Sequence, residues 1–339
     1  MNKDKNYLIE FYRGIIALLV IHNHLWPEQN ALYYLIWGCT GTTMALFFMI
    51  SGYFLYTENR QKMEGRLRKR IRRQFALTAE ALAFYYLIKL IPMAVSGRLP
   101  EYAEKYLAPQ VLLRLVFPNS TLICGPMWFM VSLLYTMILI YVLLRLDLLD
   151  KAACLIPLLL LICLGLSGEF GSLLPRVETE YARFFLIHGF PLVMTGYLIH
   201  KHEQVLLEKA GPFIRLPLLA VLSLAVTMVS ARVGINPITF FAIPFGAALL
   251  VFALLHPEWG RKSPVAEIGT KDSLHIYLMH WCFTSPAVSL MQRLHLTHWI
   301  MPYLAAPVIW LFCVLLSRIY IRVFRERQSL LPGKNNAKE

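Results

Sequence analysis

Residues 7–26 read YLIEFYRGIIALLVIHNHLW. The run is long enough to cross a bilayer, which needs about 20 residues, yet it carries Glu10, Arg13, His22 and His24. Apolar runs of similar length return almost to the end of the chain, at about 31–56, 75–95, 127–146, 152–168, 181–200, 213–232, 237–256, 271–291 and 300–321. Hydrophobic residues make up 58% of the 339 residues and charged residues only 16%, with a mean hydropathy of +0.55. A soluble domain carries about 25% charged residues. The fold class expected is therefore all-α, a polytopic transmembrane helical bundle of about ten spans.

The fifth run is the shortest, and Pro157 and Gly165 weaken it as a helix. Trp26, Trp37, Trp128, Trp299 and Trp310 stand near proposed ends, where indole suits the membrane interface. With the N-terminus inside, the inner segments hold three basic residues up to Arg13, eight from Arg60 to Arg73, then two, three and three, and six from Arg318 to Lys338. That places 25 of the 33 basic residues on one side, which the positive-inside rule converts into two cytoplasmic termini. The net charge of +13 is accounted for in this way. Nucleic acid is not an expected partner, because no basic stretch is interleaved with exposed aromatics.

Cys39, Cys124, Cys154, Cys163, Cys282 and Cys313 lie singly, without CxxC or metal-ligand spacing. They read as packing residues, and no metal is expected. Lys3 and Lys5 before an apolar stretch imitate a secretory signal, but no small-residue cleavage site follows, so the first helix is expected to be retained. The outer loop at 96–126 contains Pro100, Pro109 and Pro118 and suits a short amphipathic segment on the membrane surface.

Ionisable groups inside spans are costly unless they face protein or water, and so they point to function. From Arg13 to His24 the eleven helical steps amount to about 1,100°, leaving both on one face and about 16 Å apart. His22, nine steps from Arg13, falls about 180° away and reads as a packing histidine. Glu10, three residues before Arg13, is placed to pair with it. FFMISGYFL, Phe47 to Leu55, offers Ser51 and Gly52 for close helix approach. RLRKRIRRQF, Arg66 to Phe75, sets Arg70 and Arg73 on one face at the start of the third span. Anionic lipid and a phosphate ligand explain these two cations equally well. Glu80 and Lys89 lie about 180° apart and require separate partners. Trp128, Arg183, His188, Tyr277 and His280 add to a polar interior.

These residues resemble the acyltransferase 3 family of integral membrane proteins. Arg13 and His24 match its Arg-to-His spacing in the first span. FFMISGYFL resembles its FF-x-x-SG segment, Arg70 and Arg73 its Arg-x-x-Arg, WFMVSLL (Trp128 to Leu134) its Trp-led fourth span, and SLHIYLMH (Ser273 to His280) its late S-x-x-IYLxH stretch. RFFLIHGFPLVMTGYLI, Arg183 to Ile199, is further similar to the membrane half of the vancomycin-resistance serine racemases. The racemase reaction itself is not expected of a chain without their soluble half.

The resemblance implies an integral membrane acyltransferase-like domain over 1–327, followed by a disordered cytoplasmic tail over 328–339. It implies acyl transfer, usually of acetyl from cytoplasmic acetyl-CoA, to a hydroxyl on a carbohydrate or cell-envelope acceptor, in a multi-pass cell-membrane protein. His24 and Arg13 would then be catalytic. Arg70, Arg73 and Arg13 would hold the acyl-CoA phosphates, and Glu10, Ser51, Trp128, Arg183 and His280 would support them. His24 suits a general base, an acyl-histidine intermediate being the other route; Trp128 or His280 could stabilise an oxyanion. Membrane lipids are further partners, and a homo-oligomer is compatible with this. A carrier for a small polar solute such as serine is the second function class, and a lipid-anchored structural or regulatory membrane protein the third.

Overall fold

The computed structural model describes residues 5–25, 31–166, 181, 183–233, 241–296, 298 and 300–330. Among these residues there are helices and turns and no strand. In chain order the helices are α1 (Tyr7–Asn23), α2 (Ala31–Tyr53), α3 (Arg60–Val95), α4 (Leu99–Tyr106), α5 (Pro109–Leu113), α6 (Trp128–Arg145), α7 (Leu149–Ala153) and α8 (Ile156–Leu166). They continue as α9 (Gly189–Lys201), α10 (Glu203–Lys209), α11 (Leu216–Val233), α12 (Ala242–Leu255), α13 (Pro264–Lys271), α14 (Ser273–Met279), α15 (Trp281–Arg293) and α16 (Met301–Leu330). Trp26, Trp299, the Trp37 side chain and the tail beyond 330 lie outside the described residues, as do 167–168 and 237–240 at the edges of two expected spans.

Among the described residues, four helical stretches are long and apolar enough to cross a membrane: Leu32–Tyr53, Arg60–Val95, Gly125–Arg145 and Met301–Val323. Leu216–Val229 and Ala242–Leu255 are shorter apolar helices. Three expected boundaries shift for identifiable reasons. The third helix starts at Arg60, where the Asn59 side chain accepts from the Lys62 amide at 2.9 Å, so the basic run is helical and continuous with the span. The sixth begins only at Gly189, because residues 183–188 form turns. Buried Asn119 holds them there, accepting from the Phe185 amide at 2.7 Å and donating to the Arg183 carbonyl at 3.3 Å. The ninth is divided at Asp272 and again at His280.

The chain forms two compact units, a terminal one (1–28 with 257–339) and a central one (29–256). In the terminal unit α1 lies against α13, α14 and α16, and in the central unit α2 lies against α9, α11 and α12 while α3 lies against α6. Ile21, Leu25, Ile268, Ile276, Trp310 and Val314 belong to the core of the terminal unit.

Lipid supplies no hydrophobic drive between helices, so close van der Waals approach must hold them together. The α2–α9 joint achieves it by reciprocal glycines. A Cβ at Gly52 would fall 1.8 Å from the Val193 carbonyl oxygen, and one at Gly196 would fall 1.8 Å from that of Met49. Gly65 on α3 has nothing within 4 Å of its would-be Cβ. Thermal unfolding in detergent should therefore show Gly196→Ala destabilised by about 1–3 kcal/mol through overpacking. Gly65→Ala, in an open helical position, should gain about 0.5–1 kcal/mol.

Candidate active site

The residues singled out in the sequence divide between the units. Glu10, Arg13, His24 and His280 belong to the terminal unit, and Ser51, Arg70, Arg73, Trp128 and Arg183 to the central one.

In the terminal unit α1 is seated closely on α13 at two glycines. A Cβ at Gly269 would stand 1.8 Å from the Glu10 carbonyl oxygen, and one at Gly14 would stand 2.4 Å from that of Val265. This seat fixes the rotation of α1, and with it the polar residues the helix carries. Glu10 is buried and accepts from Arg13 Nη1 at 3.0 Å, one turn along the helix. The spacing had placed this pair.

The helix itself ends at Asn23, with His24 as its C-cap at φ −96° and ψ 3°, its N–H turned back to the Ile21 carbonyl at 3.0 Å. The eleven-step helical count therefore runs one residue beyond the helix, and the cap places His24. Its ring stacks on His280, with centroids 5.3 Å apart and planes at 28°, and meets Trp281 edge-on at 5.1 Å and 86°. His22 goes elsewhere: it is buried against Tyr303, with ring centroids 4.7 Å apart.

His280 is fully buried, and its Nδ1 lies 2.7 Å from the Tyr277 carbonyl oxygen. A carbonyl only accepts, so the neutral ring carries its proton on Nδ1 and presents a lone pair at Nε2. In that tautomer His280 accepts rather than donates, which does not suit it to stabilising an oxyanion.

One network in this unit was not legible in the sequence. Asp272 is fully buried between α13 and α14. It accepts from Ser317 Oγ at 2.7 Å and from Arg318 Nε at 3.4 Å, and His275 Nδ1 lies 2.9 Å from the same Ser317 oxygen. The only available signal was an acid inside KDSLHIYLMH, and its partners lie 45 and 46 residues away.

In the central unit the two arginines of the basic run have different environments. Arg70 is half-buried and donates from Nη1 to the Ser51 carbonyl at 3.1 Å and from Nη2 to that of Phe54 at 2.8 Å. It thereby serves the carbonyls at the end of α2, where a cation is favoured by the helix dipole. Arg73, one turn on, is exposed and has no partner among the described residues. Ser51 returns its hydroxyl to the Phe47 carbonyl at 2.9 Å. The Arg183 guanidinium lies over the Trp128 ring at 4.9 Å, and the same indole meets His188 at 5.3 Å. The sequence named these three residues one by one but gave no sign of their contact.

A family model described as an acyltransferase domain, that of the acyltransferase 3 family, matches residues 6–321. The chain belongs to this family. No curated protein and no solved structure matches the chain. Membership in the acyltransferase 3 family makes the chain an acyltransferase by family, and its long apolar helices make it a membrane protein. Arg13 and His24 both lie in the terminal unit, on and at the end of one helix seated by glycine.

The different settings of the two arginines separate their effects. Arg70→Ala, which strands backbone carbonyls from a charged donor, should cost about 1.5–3 kcal/mol in thermal unfolding. Arg73→Ala should leave the unfolding temperature unchanged.

Proposed function

We propose that the protein is an acyl-CoA-dependent O-acyltransferase that moves an acetyl group from cytoplasmic acetyl-CoA to a hydroxyl of a carbohydrate or cell-envelope acceptor. The observation that carries this reading is the setting of His24, which a helix cap and two aromatic neighbours hold in one orientation in a chain of the acyltransferase 3 family. A ring held in one orientation presents its nitrogens in a fixed direction, as a general base requires.

In the proposed reaction the acceptor oxygen attacks the thioester carbonyl carbon while His24 takes the hydroxyl proton. The tetrahedral intermediate collapses by breaking the C–S bond, the acyl group remains on the acceptor oxygen, and the imidazolium returns the proton to the coenzyme A thiolate. Arg13, held by Glu10 at 3.0 Å, supplies positive charge on the helix that carries His24. Arg73 is the phosphate contact in this scheme, because its guanidinium is exposed. Arg70 acts through the end of α2, where it serves the Ser51 and Phe54 carbonyls. The distribution of basic residues supports two cytoplasmic termini in the cell membrane, with donor and coenzyme handled on that side.

The test is transfer of label from radiolabelled acetyl-CoA to envelope material by the purified protein. His24→Ala should abolish transfer without lowering the unfolding temperature, and sustained turnover by that variant would remove the mechanism. Arg73→Ala should raise the KM for acetyl-CoA about ten-fold with kcat little changed, as expected for a lost charge-assisted phosphate contact.

A further inference from the structure

Several hydroxyls inside this protein find a partner on their own helix. Thr42, Ser51, Thr195, Thr227, Thr270 and Ser273 each return the hydroxyl to the carbonyl four residues earlier, at 2.7 to 3.1 Å. Thr284, on α15, does not: its side chain is fully buried and Oγ1 has no partner among the described residues. One turn earlier on the same buried face is His280, whose Nε2 is equally buried and also without a partner. His280 Nδ1 is committed to the Tyr277 carbonyl at 2.7 Å, so the orphaned Nε2 is an acceptor requiring a donor. His24 stacks directly on this imidazole.

A buried acceptor and a buried hydroxyl left unmade are each destabilising; one lies on the ring that stacks on His24 and the other one turn along its helix, and together they mark a place where a polar ligand completes the bonding. We propose that His280 and Thr284 form an acceptor-recognition site beside His24, in which His280 Nε2 receives a hydrogen bond from a donor adjacent to the hydroxyl that is acylated. This rests on the reading of His24 as the base of an acyl transfer.

The proton inventory supports this division of roles. The reacting hydroxyl has one hydrogen, which goes to His24, so His280 Nε2 requires a second donor on the same molecule. A neighbouring hydroxyl or amine provides it, and Thr284 Oγ1, able to donate or accept, completes the set. The site thus selects acceptors with adjacent donors over simple alcohols. Acyl-CoA does not enter this contact, so the two substrates are affected separately.

The experiment uses the full chain in nanodiscs, radiolabelled acetyl-CoA, and envelope membranes from cells lacking the gene as the acceptor. His280→Asn keeps a donor for the Tyr277 carbonyl but removes the distal acceptor, whereas His280→Gln restores an acceptor near the Nε2 position. Expected is a fall in kcat of about ten-fold or more for His280→Asn and for the isosteric Thr284→Val. The KM for acetyl-CoA and the unfolding temperature should stay at wild-type values, and His280→Gln should recover part of the rate. If His280→Asn misfolds, Thr284→Val carries the test. Wild-type kinetics in Thr284→Val or in folded His280→Asn, with His24→Ala inactive, would mean that only water completes these bonds; the inference then fails and the acyltransferase reading stands. No label transferred by the wild type, with envelope membranes that accept label from cells expressing the gene, takes both down together.

Discussion

Backbone laid directly against backbone is the constraint on which both units depend. Where Gly52 and Gly196 face each other's helix, and where Gly14 and Gly269 do the same, the distance left for a side chain is shorter than any Cβ contact. In a lipid solvent the gain from such approach is dispersion over many close atoms, with no help from excluded water. The same contacts fix rotation as well as distance. The seat of α1 on α13 sets which way Glu10, Arg13 and the cap at His24 are directed. The approach of α2 to α9 fixes the helix whose final carbonyls Arg70 serves.

Upon that frame many polar groups are satisfied, some on their own helix and some across the fold. Hydroxyls return to their own helices, Arg70 serves the end of α2, and buried Asn119 holds the turn ahead of α9. Asp272 is satisfied from far along the chain: it is an acid with no exposed surface, flanked by Ser317 and Arg318. Removing either partner would leave a buried carboxyl oxygen without its donor, so the break between α13 and α14 is specified by these bonds. Ser132 and Thr136 also carry buried hydroxyls without a partner among the described residues, and His280 differs from them in its setting, because its ring stacks on His24.

How much was legible in the sequence follows from which interactions are local. The all-helical fold was, because apolar run lengths encode it directly. So was the Glu10–Arg13 pair, because three residues on a helix bring side chains together. His22 and His24 have different neighbours, as the angular count expects, although the cap and not the helix places His24. The stacking of His24 on His280, the cover of Arg183 over Trp128 and the bonds of Asp272 were not, since each joins segments from 45 to more than 250 residues apart. Helix ends were misplaced for a related reason. Asn119 delays the start of α9 from 66 residues away, and no periodicity near Gly189 carries that information.

The length of α3 has a consequence of its own. Its 36 residues span about 54 Å at 1.5 Å per residue, against a hydrocarbon core of about 30 Å. The helix must therefore project well beyond the acyl chains, and the projecting end is the one studded with arginine and lysine. Cations carried on such a mast stand in water, where mobile salt surrounds them and their reach is limited to about 8 Å at physiological ionic strength. Groups sealed among the helices of the terminal unit have no such shield. Raising the salt concentration thus weakens any anion's first attraction to the mast while leaving the forces among buried groups untouched, so one molecule holds two electrostatic regimes.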